Sequence, residues 1–151
     1  MNKIIDDDQY LLNIAKEISL KSPDINTKVG CVIKTFENEI IKGCNDFPKG
    51  IKITEKRLER PEKYKWIEHA ERNTILMAAK QGKSLDKSTM YLNWYPCIEC
   101  ARAIIQCGVT KLVCEKKPDY NDDRWGEQFK AVTQMLYEGD INVVFSKYTI
   151  L

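Results

Sequence analysis

Histidine is nearly absent: the 151 residues contain one, His69. Any Ser/His or Cys/His catalytic arrangement would have to be built around that single imidazole. An excess of one charge is also missing. Twenty-four basic residues stand against 22 acidic ones for a net charge of +2, so the footprint of a dedicated nucleic-acid binder is lacking and a nucleic-acid partner is not expected. No apolar run reaches signal-peptide or membrane-spanning length. The chain opens Met1-Asn2-Lys3-Ile4-Ile5 and continues Asp6-Asp7-Asp8, so no membrane association and a cytoplasmic location are expected. Six cysteines without a secretion signal imply reduced thiols and metal ligation, not a disulfide framework. Repeats and low-complexity stretches are absent too. At 43% hydrophobic, residues 1–151 are the size of one domain with its own core.

Periodicity places a first amphipathic helix over Asp6 to Lys21, through Tyr10, Leu11, Ile14, Ala15 and Ile18, with acids at its dipole-favoured start. Lys28 to Ile33 and Ile40 to Cys44 read as an antiparallel hairpin turning at Glu37-Asn38-Glu39. From Asn45 to about Glu68 periodicity fails, leaving a long loop with room for one short helix. Between Lys49 and Lys65 that loop holds seven basic residues against Glu55, Glu59 and Glu62. It reads either as a solvated charged flap or as an electrostatic lid over a phosphorylated ligand. Then come a helix from Glu68 to Gln81, a strand from Thr89 to Asn93, a helix from Cys97 to Gln106, a strand from Val109 to Cys114, a helix from Trp125 to Glu138 and a strand from Ile141 to Phe145. The expected fold class is α/β: three layers, α/β/α, around a mixed five-stranded sheet.

The chemistry concentrates in Trp94-Tyr95-Pro96-Cys97-Ile98-Glu99-Cys100 and in His69-Ala70-Glu71. Thiols at C-x2-C spacing bite one tetrahedral zinc easily, and a catalytic zinc keeps three protein ligands and an open position. His69, Cys97 and Cys100 supply the three. Cys97 and Cys100 are expected in a helix's first turn, where the positive dipole end favours the thiolate. Glu71 is left free to move protons. The competing reading closes a structural zinc with a fourth ligand, Cys107 or Cys114, although Cys107 lies two turns down the same helix from Cys100. Cys31, Cys44, Cys107 and Cys114 otherwise read as small buried hydrophobes.

H-x-E followed by P-C-x-x-C is the signature of zinc-dependent nucleobase deaminases. Ile67 to Asn73, Pro96 to Gln106 and Gly43-Cys44-Asn45 before Pro48 resemble the deoxycytidylate (dCMP) deaminases of the cytidine deaminase superfamily, from roughly Val29 to Val144. The resemblance implies a cytidine deaminase-like fold, Zn2+ as cofactor, a pyrimidine nucleotide substrate with dCMP to dUMP as the reaction, and a homo-oligomer. It implies that zinc acidifies water while Glu71, as general acid and base, carries protons to ring N3 and the departing amine. The resemblance also offers Asn45 and main-chain groups near Ala70 and Tyr95 as ligand contacts. Trp94, Phe47 and Trp66 are candidates to stack on a base, and Lys49, Arg57, Arg60, Arg102 and Arg124 to hold a phosphate. Asp46 replaces the second glycine of the family's G-Y-N-G-x-P segment, so control by dCTP and dTTP is not expected. Two alternatives stay open: a deaminase of a free base or nucleoside such as cytosine, cytidine or guanine, and a zinc-stabilised binding module.

Overall fold

The computed structural model describes residues 6–146. Its elements run α1 (Asp6–Ser19), β1 (Gly30–Lys34), β2 (Ile40–Cys44), α2 (Glu55–Leu58), α3 (Lys63–Trp66), α4 (Ala70–Lys80), β3 (Ser88–Leu92), α5 (Ile98–Gln106), β4 (Val109–Cys114), α6 (Gly126–Glu138) and β5 (Asn142–Phe145). The stretch Met1 to Ile5, read above as carrying no leader, lies outside the described residues. No described helix is long and apolar enough to cross a membrane.

One mixed sheet in the order β2-β1-β3-β4-β5 carries the fold. β1 pairs antiparallel with both β2 and β3, whereas β3, β4 and β5 run parallel. A tight turn suffices for the first hairpin, with Asn38 at φ 66°. The parallel pairs need crossovers, supplied by α5 and α6. Because strand residues alternate between faces, each strand feeds two cores. Val32, Tyr91, Val113 and Val144 meet Leu11, Leu12 and Ala15 of α1. Cys31, Ile33, Met90, Leu92, Leu112 and Cys114 meet Ala70, Ala78, Ala101, Ile104, Val132 and Leu136 of α4, α5 and α6. Three layers result. Gly30 marks where α1 lies closest to the sheet: a Cβ there would come 1.8 Å from the Ala15 carbonyl oxygen, so only glycine permits the contact.

Two differences from the sequence expectations have local causes. α1 ends at Ser19, not Lys21, because Leu20 to Ser22 close into turns ahead of Pro23, whose ring disfavours helical backbone at the residue before it. The loop after Asn45 holds two short helices, not one. Thr54 caps α2 by accepting from the Arg57 N–H, and α3 is anchored by Lys63, whose Nζ lies 2.8 Å from Asp24 Oδ2 with both side chains buried. This loop is therefore packed against the segment that leads from α1 into β1.

Candidate metal centre and active site

Both halves of the site arrive from the ends of the two strands that flank β1. Past β2, Asp46 N–H donates to the Glu68 carbonyl at 3.1 Å and Glu68 N–H to the Asp46 carbonyl at 2.8 Å. The loop thus leaves and returns at one place and delivers His69, with extended backbone, as the N-cap of α4. Past β3, residues 93–96 carry the chain to Cys97. The structure places Cys97 at the N-cap of α5, not within its first turn, with φ −75° and ψ 172°; its carbonyl already accepts from Ala101 N–H at 2.9 Å. Cys100 sits in the first turn.

The two helix starts converge. His69 Nδ1 is 3.5 Å from Cys97 Sγ and 3.5 Å from Cys100 Sγ, and the three ligand atoms lie within 4.8 Å of one another. Zinc bonds of roughly 2.1 Å to nitrogen and 2.3 Å to sulfur, opened to a tetrahedral angle, would separate N and S by about 3.5 Å. The donor set therefore fits a zinc ion. Among the described residues this cluster contains three protein ligands, which matches a site with one position for a non-protein ligand.

Electrostatics follow from burial and proximity. A hydrogen bond from Cys100, with further help from His69, pulls the Cys97 thiol down to about 4 despite its burial. Cys100, which gives that hydrogen bond, is pushed up, and burial adds to the effect. Hydrogen bonding to Cys97 raises His69 against the opposing effect of burial. A metal bound here would take both sulfurs as thiolates and release their protons. Glu71, 4% exposed, is raised above the ordinary glutamate value by burial, a setting suited to a proton carrier. Beneath it Cys31 and Cys114 are fully buried and raised by desolvation and by the Glu71 charge.

A charged strut joins the two halves. Arg72 donates from Nε to Glu68 Oε1 at 2.8 Å and from a terminal nitrogen to Glu99 Oε2 at 2.9 Å. Glu68 Oε1 also accepts from the His69 N–H at 2.9 Å. Sequence reasoning missed Arg72. Its i, i+4 spacing from Glu68 was a readable signal, but its reach to α5 was not.

The remaining expected contacts are dispersed. Asn45 is buried, accepting from Val29 N–H at 2.9 Å and donating to the Thr27 carbonyl at 2.8 Å. Ala70 is fully buried at the start of α4. The Tyr95 side chain turns into the core, its hydroxyl 2.7 Å from Thr133 Oγ1 and its ring edge-on to Phe129. Phe47 is core. Trp94 stays part-exposed, with Lys116 Nζ 3.7 Å above its ring, and Arg57 covers Trp66 at 3.7 Å. Arg102 is exposed on α5, and Lys49 and Arg60 are exposed in the loop. Arg124 hydrogen-bonds the Tyr64 hydroxyl at 2.9 Å, tying the segment before α6 to α3.

A family model described as "Cytidine and deoxycytidylate deaminase zinc-binding region" matches residues 5–116. The chain belongs to this deaminase family. The family is a zinc-binding one, and the His69, Cys97 and Cys100 cluster is the group that could hold the ion. Among relatives of this deaminase, an uncharacterised deaminase of Aliivibrio fischeri is 30% identical over 91% of this chain and 92% of its own. A probable deoxycytidylate deaminase of Caenorhabditis elegans is 40% identical over 85% of this chain and 64% of its own, and the human deoxycytidylate deaminase 28% over 93% and 78%. The dCMP deaminase of cyanophage S-TIM5, solved with dCMP and dUMP, superposes with a TM-score of 0.75 at 22% identity over 96% of this chain and 100% of its own. The three-layer deaminase fold is shared with it.

Proposed function

We propose that this deaminase hydrolyses dCMP to dUMP and ammonia. The observation that carries the reading is the three-ligand cluster of His69, Cys97 and Cys100 with the buried Glu71 on the same helix start. Relatives named deoxycytidylate deaminase support the choice of substrate. Bound at the cluster, zinc supplies Lewis-acid activation of water near neutral pH. Glu71 takes one proton of the attacking water and hands it to N3 of the cytosine ring. Glu71 then takes the second from the new C4 hydroxyl and passes it to the amine, which leaves as ammonia while the C4 carbonyl forms. Its burial, by raising its proton affinity, suits both halves of that exchange. His69 and the cysteines hold the metal, and the strut through Arg72 keeps their helices together.

Phosphate recognition is assigned to the Tyr64–Arg124 pair and the basic loop around it. The guanidinium, already oriented by the Tyr64 hydroxyl, matches a phosphate dianion. Asn45 and main-chain groups of Ala70 and Tyr95 remain the proposed base and sugar contacts, with Trp94 as a stacking face and Arg102 as a further phosphate candidate. Six free cysteines suit a reducing cytoplasm. Exposed Leu76 and Met77 on α4 favour a homo-oligomer, checked by sedimentation velocity.

The decisive experiment measures ammonia release by zinc-loaded protein from dCMP, CMP, deoxycytidine, cytidine, cytosine and guanine. The reading requires dCMP to lead and Glu71→Gln to be inert. Preference for an unphosphorylated member would make the chain a base or nucleoside deaminase. No turnover, with a fourth protein ligand on zinc, would make it a binding module.

A further inference from the structure

Two buried asparagines fasten the two halves of the metal site to one strip of backbone. β1 begins at Gly30, where its ladder to β2 ends at Gly30↔Cys44 and its ladder to β3 ends at Cys31↔Leu92. Beyond those pairs both neighbouring chains swing away, one towards His69 and the other towards Cys97. The strip 27–30 nevertheless stays bonded on both sides. Asn93 Oδ1 accepts from Gly30 N–H at 2.8 Å and its Nδ2 donates to the Lys28 carbonyl at 3.1 Å. On the other side, Asn45 bonds Val29 N–H and the Thr27 carbonyl through its side chain and the Val29 carbonyl through its own N–H at 3.1 Å. Each amide copies the donor and acceptor pattern of a strand residue, so its main chain can turn out of the sheet without leaving the strip's polar groups unpaired.

The paths from these anchors to the ligands are short. Asn45 is followed by Asp46, which pairs with Glu68, the residue before His69. Asn93 is separated from Cys97 by Trp94, Tyr95 and Pro96 alone. Asn93 is 8% exposed and Asn45 6%, so water competes little for either amide. We infer that Asn93 is a positioning residue of the metal site. By locking the exit of β3 onto strip 27–30, opposite Asn45, it sets where Cys97 and Cys100 stand relative to His69. This rests on the zinc reading of that cluster.

The test uses cobalt-substituted and zinc-loaded full-length protein, with Asn93→Ala as the main variant. Asn93→Ser serves as the milder one, its hydroxyl able to serve either the Gly30 N–H or the Lys28 carbonyl but too short to span both. Leu12→Ala, in the core on the far side of the sheet, is the control for lost stability alone. Outer partners of metal ligands commonly change metal affinity by 10–100-fold when removed, so zinc loss to a chelator should quicken about tenfold or more in Asn93→Ala. The d–d and thiolate-to-cobalt bands should shift, while Leu12→Ala keeps the wild-type spectrum. If Asn93→Ala does not fold, Asn93→Ser must show the same changes in weaker form. Variants that melt earlier but keep the wild-type cobalt spectrum and zinc-loss rate would overturn the inference, leaving Asn93 a packing residue. Failure of the wild-type chain to bind zinc would instead overturn the metal reading beneath it.

Discussion

The two faces of the sheet are made by the same five strands yet do different work. Towards α1, Val32, Tyr91, Val113 and Val144 close over Leu11, Leu12 and Ala15. A buried acid at that surface, Asp8, is held by the Tyr91 hydroxyl at 2.9 Å and by Lys111 at 2.7 Å. Towards α4 and α5 the neighbouring residues of those strands are Cys31, Leu92 and Cys114, and above them lies Glu71, buried and raised by desolvation. One face holds its buried carboxylate in a pair, while the other buries Glu71, the carboxylate proposed as the proton carrier. Helix direction explains the contrast: α4 and α5 both start at the metal edge, whereas α1 contributes its flank.

Substitutions that strike one face and spare the other test this division. Glu71→Gln should lower turnover by about 10²–10⁴ while zinc content, read by atomic absorption, and melting temperature hold. Asp24→Asn leaves Lys63 buried against the loop without its partner and should cost about 3–5 kcal/mol in urea unfolding. Burial pushes the Asp24 carboxyl up, but the hydrogen bonds from Lys63, Asn26 and Thr27 outweigh it and hold the group below 3.8. Its contribution is therefore present above that value and lost as pH falls through the lowered one. The stability of Asp24→Asn should accordingly fall less steeply than wild type in acid titrations below pH 3.8. Leu12→Ala empties a fully buried position on the α1 face and should cost about 2–5 kcal/mol. Turnover per folded molecule should be unchanged, and an accompanying loss of catalysis would dissolve the distinction between the faces. Arg124→Ala should have the smallest effect, raising KM for dCMP about tenfold and barely touching deoxycytidine, as expected for one lost charged hydrogen bond.

What the sequence disclosed follows from how locally each feature is encoded. β2 and β4 are bounded as read, opening on the β-branched pairs Ile40-Ile41 and Val109-Thr110 and ending at Cys44 and Cys114. The candidate metal cluster was legible because C-x2-C spacing and a histidine before a helical run need no knowledge of the partner segment. Cys97 fell just outside its helix because an N-cap and a first-turn residue share the same sequence signals. Asn93 and Arg72 escaped for a different reason. Their partners lie 63 and 65 residues away at Gly30 and Lys28, and 27 away at Glu99, so their roles exist only once sheet register and helix crossing are set. α2 and α3 are single turns whose stability comes from Thr54 and from the Lys63–Asp24 pair, too short for periodicity to reveal.

The bridge between Asp46 and Glu68 clamps the two ends of the basic loop to each other. Because of that clamp, the exposed stretch ahead of the Lys63–Asp24 anchor can lengthen or shorten while the helix behind the loop keeps its place, and the entropic penalty grows only slowly with length. A change there acts on what the loop offers to solvent, as a tool head is changed on a fixed spindle, and leaves the cluster of His69, Cys97 and Cys100 where it stands.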